Sequence, residues 1–358
     1  NQRLTTVNST PFLNTSFANG AAILYPEVTE YTYSADGIKP LGKTVYKYTF
    51  PTSATNVWTS FLSPIYVDNR DDFQDVLLVS TEHYKYHDNT FALVEKTINN
   101  HSHFIKETIP VAQTFCRYYR SFDETNPFFQ TAPDGQPQFA HLHYDITTGA
   151  TKLSSVTKTI YDIDNPANII TATTNYTYEQ IHLNLESEIV TDSKGDVHKT
   201  RYWYPYQLGI PNIPGSQESQ LETLVYRNEI NRPVVVKKYL NNSLLNTVYQ
   251  TYQDDALLHK VFAFNFNDAA EEKISINQYD NQKNVVEQQK ANDVKEVYLW
   301  GYGQRYPVVK VFGADYSSVS AIVSQAQIDN ATNIANNDAA VRSLLNNIRD
   351  YYAATPEV

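Results

Sequence analysis

Six tyrosines, Tyr178, Tyr202, Tyr226, Tyr252, Tyr279 and Tyr302, recur at intervals of 23–27 residues. Each interval holds two runs of alternating polar and apolar residues around a polar turn. The clearest is 175–205, NYTYEQIHLNLESEIVTDSKGDVHKTRYWYP, where 182–186 and 197–202 flank Asp192-Ser193-Lys194-Gly195. Period-2 patterning around such a turn reads as a β-hairpin. The stretches 274–290 and 223–240 read the same way. One hairpin cannot bury its own apolar face, so a hairpin in every interval requires a stacked β array. Tyrosine at a fixed interval is then expected to be one packing position repeated in each unit.

Composition agrees with a β protein. The 358 residues contain 28 Tyr, 16 Phe, 3 Trp and no Met, and tyrosine, threonine and valine suit pleated, half-buried surfaces. A net charge of −11 repels nucleic acid and anionic membranes, so neither is an expected partner. No apolar run reaches the roughly 18 residues of a membrane span. Eleven glycines are too few for a glycine-rich phosphate binder. The chain opens on Asn1 with neither initiator Met nor signal peptide, as a processed or excised piece of a longer protein would.

Three regions are expected: an irregular β-rich region at 1–149, the tyrosine-marked array at 150–312, and a helical hairpin at 313–358. In the first, 29–50 reads as a hairpin with a Gly/Pro loop, 91–109 as a hairpin turning at Asn99-Asn100-His101, and 121–139 as a connector. The stretch 59–84 reads as a loop followed by a strand or short helix. In the last, Asp315 should cap a helix bearing Val319, Ile322 and Val323. Asp338 should cap a second, with Val341, Leu344, Leu345, Ile348 and Tyr352 on one stripe.

The segment VYLWGYGQRYPVVKVFGADYSSV (297–319) joins array to helices. It resembles the Y-[IL]-W-G-Y-x-x-x-Y-P-[IV]-[AV]-K-[IV] segment of secreted RHS/YD-repeat proteins of the Bacteroidota type, which there precedes the regular YD repeats. The residues carrying it are Tyr298, Trp300, Gly301, Tyr302, Tyr306 and Pro307. TDSKGDVHKTRYWYP (191–205) and NQYDNQKNVVEQQKANDVKEVYLWGY (277–302) are similar to hairpin units of the same family, and 323–352 to its helical insert. Two spellings depart: Lys283 stands where the YD unit has Gly, and Asn292-Asp293 replaces Asn-Gly. Lys283 must therefore accept a glycine-like backbone or change the turn. The resemblance runs from about 150 to 358; before that only GKTVYKYTF (42–50) shares it.

The resemblance implies an antiparallel hairpin array curling as a β-shell segment of a large secreted or surface protein of a Gram-negative bacterium. It also implies a type IX export route, further YD repeats of the same polypeptide as partner, and an effector domain elsewhere in the full chain. The work of this segment would be structural, as an internal or N-terminal slice of the shell.

Candidate chemistry is thin. His101-Ser102-His103 and His141-Leu142-His143 each place two imidazoles on one strand face, yet zinc sites usually recruit Cys or carboxylates as well. Asp162, Asp164 and Asn165 form half a calcium loop without its Gly or distal Glu. Cys116, with Arg117 and Arg120 close by in the chain, has no cysteine-nucleophile signature around it. Asp71-Asp72, Asp254-Asp255 and Glu271-Glu272 read as solvated turns. No catalytic, cofactor or metal residue is expected. The competing expectation is a carbohydrate-binding or adhesion module presenting exposed coplanar aromatics. In the opening segment Gly301 and Gly303 are expected to permit a sharp turn, with Val308–Phe312 the last strand.

Overall fold

The structure is a computed structural model describing residues 25–49, 76–117, 138–266, 268–334 and 337–354. It is mainly antiparallel β with a few C-terminal helices. By contacts the chain divides into two compact units, after Tyr176. Gly149, the expected boundary, instead lies inside a strand, paired with Ile105.

The first unit is a meander in which each strand pairs antiparallel with the next: β1 (Glu27–Tyr33), β2 (Pro40–Thr49), β3 (Leu77–His87), β4 (Thr90–Arg117), β5 (Gln138–Tyr161) and β6 (Ile169–Tyr178). The hairpin expected over 29–50 is β1–β2. The turn expected at Asn99-Asn100-His101 is absent, and β4 runs straight through it. Both asparagine amides find partners across the sheet, Asn99 Nδ2 donating to Leu78 O at 3.1 Å and Asn100 Nδ2 to Ser155 Oγ at 2.9 Å. With those groups satisfied in extended backbone, the local turn preference is overridden. Val45 is the one buried apolar side chain among the unit's described residues. Charge bonds compensate: buried Glu82 on β3 takes Lys96 at 3.0 Å from β4, Lys47 at 3.4 Å from β2, and the Tyr84 hydroxyl at 2.8 Å. Residues 59–75 and 121–137 lie outside the described residues.

The second unit continues the same construction with β7 (Leu185–Thr191), β8 (Val197–Trp203), β9 (Val235–Leu240), β10 (Ser243–Tyr252), β11 (Leu258–Asn265), β12 (Glu271–Tyr279), β13 (Val285–Lys290), β14 (Lys295–Gly301) and β15 (Tyr306–Phe312), again pairing in chain order. The hairpins expected at 175–205 and 274–290 are β7–β8 and β12–β13. The one expected at 223–240 is not there. Helix α1 (Glu218–Tyr226) runs through its opening residues and buries Leu221 and Leu224. It ends where Asn228, at φ +59°, lets its own N–H reach Val225 O and the Glu229 N–H reach Leu224 O. That is the Schellman close of a helix.

After β15 come three helices, α2 (Tyr316–Ile322), α3 (Gln325–Thr332) and α4 (Asp338–Ala354), where a two-helix hairpin was expected. The first expected helix is split at Ser324, whose side chain and that of Gln327 form a capping box that starts α3 afresh. Asp338 lies inside the first turn of α4, and the opening carbonyl bonds come from Asn337. Val297, Leu299, Val309 and Val311 of the sheet meet Val319, Val323, Ile328 and Ile348 of the helices, with Leu344, Leu345 and Tyr352 packed alongside. Each such side chain withdrawn from water contributes about 1.5–3 kcal/mol. A second cluster joins Leu221 and Leu224 of α1 to Val234, Val235, Tyr252 and Ala256.

Two of the turns share one chemistry. Asp192 and Asp280 each open a five-residue loop in which Oδ1 accepts two backbone N–H groups, those of Lys194 and Asp196 at 2.9 Å and those of Gln282 and Asn284 at 2.8 Å. The backbone closes identically, Asp192 N–H to Asp196 O at 3.0 Å and Asp280 N–H to Asn284 O at 2.9 Å. The fourth position is left-handed in both, Gly195 at φ +88° and Lys283 at φ +67°. Lys283 thus adopts the glycine-like backbone. Strain of that kind costs about 1 kcal/mol. Lys283→Gly should therefore raise the urea stability of the second unit by roughly 0.5–1 kcal/mol, despite losing the exposed Lys283–Asp255 pair, and Gly195→Lys should lower it by about as much. A loss of stability in Lys283→Gly would show that the turn is not strained.

Candidate functional site

The segment that carried the resemblance is a clamp between sheet and helices. Trp300, at the end of β14, donates its backbone N–H to Gln325 Oε1 at 3.1 Å, and Gln325 Nε2 returns a bond to Trp300 O. The indole N–H reaches Val285 O at 2.9 Å. Two residues on, the Tyr302 N–H bonds Thr332 Oγ1 at 2.8 Å, and the Gly303 N–H bonds Asn333 Oδ1 at 2.8 Å. Gln304 Nε2 adds a bond to Asp329 at 3.1 Å. The backbone N–H groups of Trp300, Tyr302 and Gly303 are thus received by side chains of α3 and its C-terminus.

Gly301 is needed for closeness rather than for turning, contrary to expectation. Its φ is not left-handed, but a Cβ there would stand 2.9 Å from both Thr332 Cγ2 and Val308 Cγ1. The left-handed residues are Tyr302, Gly303 and Gln304. The last strand begins at Tyr306, with Trp300 opposite Pro307 and Gly301 opposite Tyr306. The rings of Tyr302 and Tyr306 stand exposed, edge to face at 6.3 Å.

Two carboxylates on the neighbouring strands complete the site. Glu287, on β13 and buried, accepts the Tyr316 N–H at 2.8 Å, Asn277 Nδ2 at 3.0 Å and Lys295 Nζ at 3.1 Å. It therefore caps α2 from the sheet. Asp315, the expected cap, makes no side-chain cap bond and pairs with Lys295 instead. Burial alone would raise the Glu287 carboxyl, but the Tyr316 N–H, Asn277 and Lys295 outweigh it and hold it below the usual range. Glu296 receives the Tyr298 hydroxyl at 2.7 Å, Gln288 Nε2 at 2.7 Å and Lys310 Nζ at 3.2 Å. Those donors, led by Tyr298, bring it down to about 2. Both carboxylates are anchors, held ionised with their lone pairs in use, and neither is poised to exchange a proton near neutrality.

The six spaced tyrosines do not form one packing position. Tyr178, Tyr252 and Tyr279 each end a strand directly before a turn opener, Glu179, Gln253 and Asp280. Tyr202 lies within β8, Tyr302 lies in a turn, and Tyr226 ends α1 with 91% of its surface exposed. The position that does recur includes two tyrosines outside the interval, Tyr33 before Ser34 and Tyr161 before Asp162.

The remaining candidates are spread apart. His103 Nδ1 lies 2.7 Å from Thr151 Oγ1, while burial and then His103 hold the His101 imidazole below its ordinary pKa. The side chains of Cys116, His141 and His143 and the pair Asp71-Asp72 lie outside the described residues. Asp162 accepts the N–H groups of Asp164 and Asn165, which lower its pKa, so the calcium-like stretch is a turn. Asp255 pairs with Arg227 at 2.8 Å and Glu272 with Lys260 at 2.7 Å. Among the described residues no three His, Cys, Asp or Glu groups gather as a metal site would require.

No protein-family model matches the chain, and no curated protein matches it. Solved structures give weak likenesses. The crystal structure of TcdB2-TccC3-Cdc42 aligns over 79% of this chain and 13% of that one, at 9% identity and a TM-score of 0.21. That of TcdB2-TccC3 aligns over 81% and 14%, at 10% identity and a TM-score of 0.20. The Photorhabdus luminescens Tc holotoxin pore with the TccC3 D651A mutation aligns over 80% and 19%, at 9% identity and a TM-score of 0.14. The chain thus spans less than a fifth of each of these chains, and TM-scores of this size establish neither a shared fold nor a shared function.

The depressed carboxylates set the acid response. A carboxyl lowered on folding contributes stability that is full above its unfolded value and lost as pH falls through the folded one. Stability of the second unit should therefore hold from neutrality to about pH 5 and decline between 4.5 and about 2. Glu296→Gln should be less stable at neutral pH and show a shallower decline in urea titrations at stepped pH. An unchanged slope would mean that Glu296 is not held by its donors.

Proposed function

We propose that the chain is a noncatalytic structural segment of a large secreted or cell-surface protein of RHS/YD-repeat type, a stretch of β-shell whose partner is the remainder of its own polypeptide. The observation that best supports this is the use made of its acidic side chains. Asp162, Glu179, Asp192 and Asp280 each accept two or more N–H groups of their own turn. Side chains that could serve as acids or bases are consumed in closing turns, over loops of differing length. Such repetition suits a wall extended by adding hairpins. The family resemblance adds further YD repeats, a type IX export route and an enclosed effector located elsewhere in the full protein. No described helix is long and apolar enough to cross a membrane.

A carbohydrate-binding or adhesion module is supported less well. Tyr302 and Tyr306 are exposed, but their planes meet at 74° and offer no flat platform. The near-parallel pairs, Tyr249 with Phe262 and Tyr204 with Tyr206, are tied to packing, with Tyr249 against the second apolar cluster and Tyr204 buried.

Electron microscopy of the complete gene product, with this segment located by an inserted tag, tests the proposal. The expected image places the segment in a continuous β wall with flanking repeats on both sides. A separate domain tethered by a linker would contradict it. Glycan-array binding by the chain that is lost in Tyr302→Ala/Tyr306→Ala would favour the adhesion reading.

A further inference from the structure

The connection between β8 and β9, residues 204–234, is out of scale with the rest of the second unit. Other connections of this unit, such as 241–242, 253–257, 280–284, 291–294 and 302–305, are far shorter. Long connections inside a compact unit are uncommon and tend to carry function. This one is tied down by side-chain bonds. The Tyr204 hydroxyl donates to Leu185 O at 2.8 Å, Asn184 Nδ2 to Ile230 O at 2.9 Å, and Arg227 pairs with Asp255 at 2.8 Å. The inner side of α1 is buried in the second apolar cluster.

Its outer side borders a groove of about 630 Å³ between α1 and the 205–215 loop. Leu208, Ile210, Ile213, Val225 and Tyr226 line it, with Leu208 99% exposed and Tyr226 91%. Covering two such side chains would yield about 1.5–3 kcal/mol each, and the volume falls in the range of ligand sites. Glu218 and Glu222 also line it, one turn apart on α1. Neither has a basic partner among the described residues, and the neighbouring cation, Arg227, is committed to Asp255. An apolar channel edged by two free carboxylates selects against acidic or uniformly polar occupants.

We infer that this insertion is a docking groove for a peptide segment of another polypeptide that carries a large apolar side chain flanked by lysine or arginine. The site is independent of the shell proposal.

Fluorescence anisotropy with the full chain and a short labelled peptide of Leu, Ala and Lys tests it, against the same peptide with Glu for Lys. The Lys peptide should bind saturably and the Glu peptide at least about ten-fold more weakly. Leu208→Ser/Tyr226→Ser and Glu218→Gln/Glu222→Gln should each weaken the Lys peptide by about ten-fold. Thermal midpoints of the Leu208→Ser/Tyr226→Ser variant should stay close to that of the parent chain, since these side chains are exposed, and that of Glu218→Gln/Glu222→Gln should fall only slightly, since Glu218 sits in the first turn of α1. Asp350→Asn on α4, which removes one exposed charge elsewhere, should bind as the parent chain does. Absence of binding, equal binding of both peptides, or wild-type affinity in both double variants would overturn the inference. Self-association in sedimentation that disappears in Leu208→Ser/Tyr226→Ser would also overturn it, by assigning the groove to a second copy.

Discussion

A β-hairpin in water has two unmet needs: its apolar side must be covered, and its chain must reverse at a set residue. The turn carboxylate answers the second need and so makes the first solvable. When Asp192 or Asp280 receives two N–H groups of its own loop, the reversal point is fixed, and the two strands enter in a single register. A slip of one residue would exchange the buried and wet faces of every following strand. Glu179 reaches the same end with a longer side chain and a longer loop, accepting from Ile181, His182 and Asn184. Burial opposes its charge, and the three N–H groups outweigh burial and keep its pKa low.

With register set, the two units meet the need for cover differently. The first is held chiefly across its strands, by Glu82 between Lys47 and Lys96 and by Glu95 with Lys158. Exposed pairs of this kind contribute only about 0–1 kcal/mol each, but Glu82 is nearly buried and would be costly to leave unpaired. The second unit adds helices. Glu287 is the link between the two devices, since one carboxylate caps α2, binds Lys295 on the next strand and takes Asn277 from β12. The clamp at Trp300–Gly303 then joins α3 to the final turn, so the helices cannot lift without breaking bonds that the sheet itself supplies.

The sequence reveals what is local. The turns at Asp192 and Asp280, the alternating runs around them and the apolar stripe of α4 can all be read from neighbouring residues, because the chemistry lies within a few positions. Some local signals were present but outweighed. Ser324 and Gln327 spell a capping box inside what looked like one helix, and Asn228 is the stop that marks α1. The tyrosine interval misled because a spacing count cannot tell a strand end from a helix end. What depends on distant partners could not be read: Asn99 and Asn100 spell a turn until Leu78 and Ser155 satisfy them, and nothing near Tyr316 announces that Glu287 will cap it. The clamp was visible as a motif, but Gly301 owes its identity to Thr332 and Val308, which only folding brings near.

Residue-resolved amide hydrogen exchange tests the role of the turn carboxylates most directly. The N–H groups of Lys194, Asp196, Gln282 and Asn284 sit in surface turns and would exchange at nearly free rates if their acceptor were water. Bonded to Asp192 and Asp280, they should be protected at neutral pH to a degree approaching the adjoining strands, and that protection should vanish in Asp192→Ala and Asp280→Ala. Exchange at free-turn rates in the unaltered protein would contradict the account.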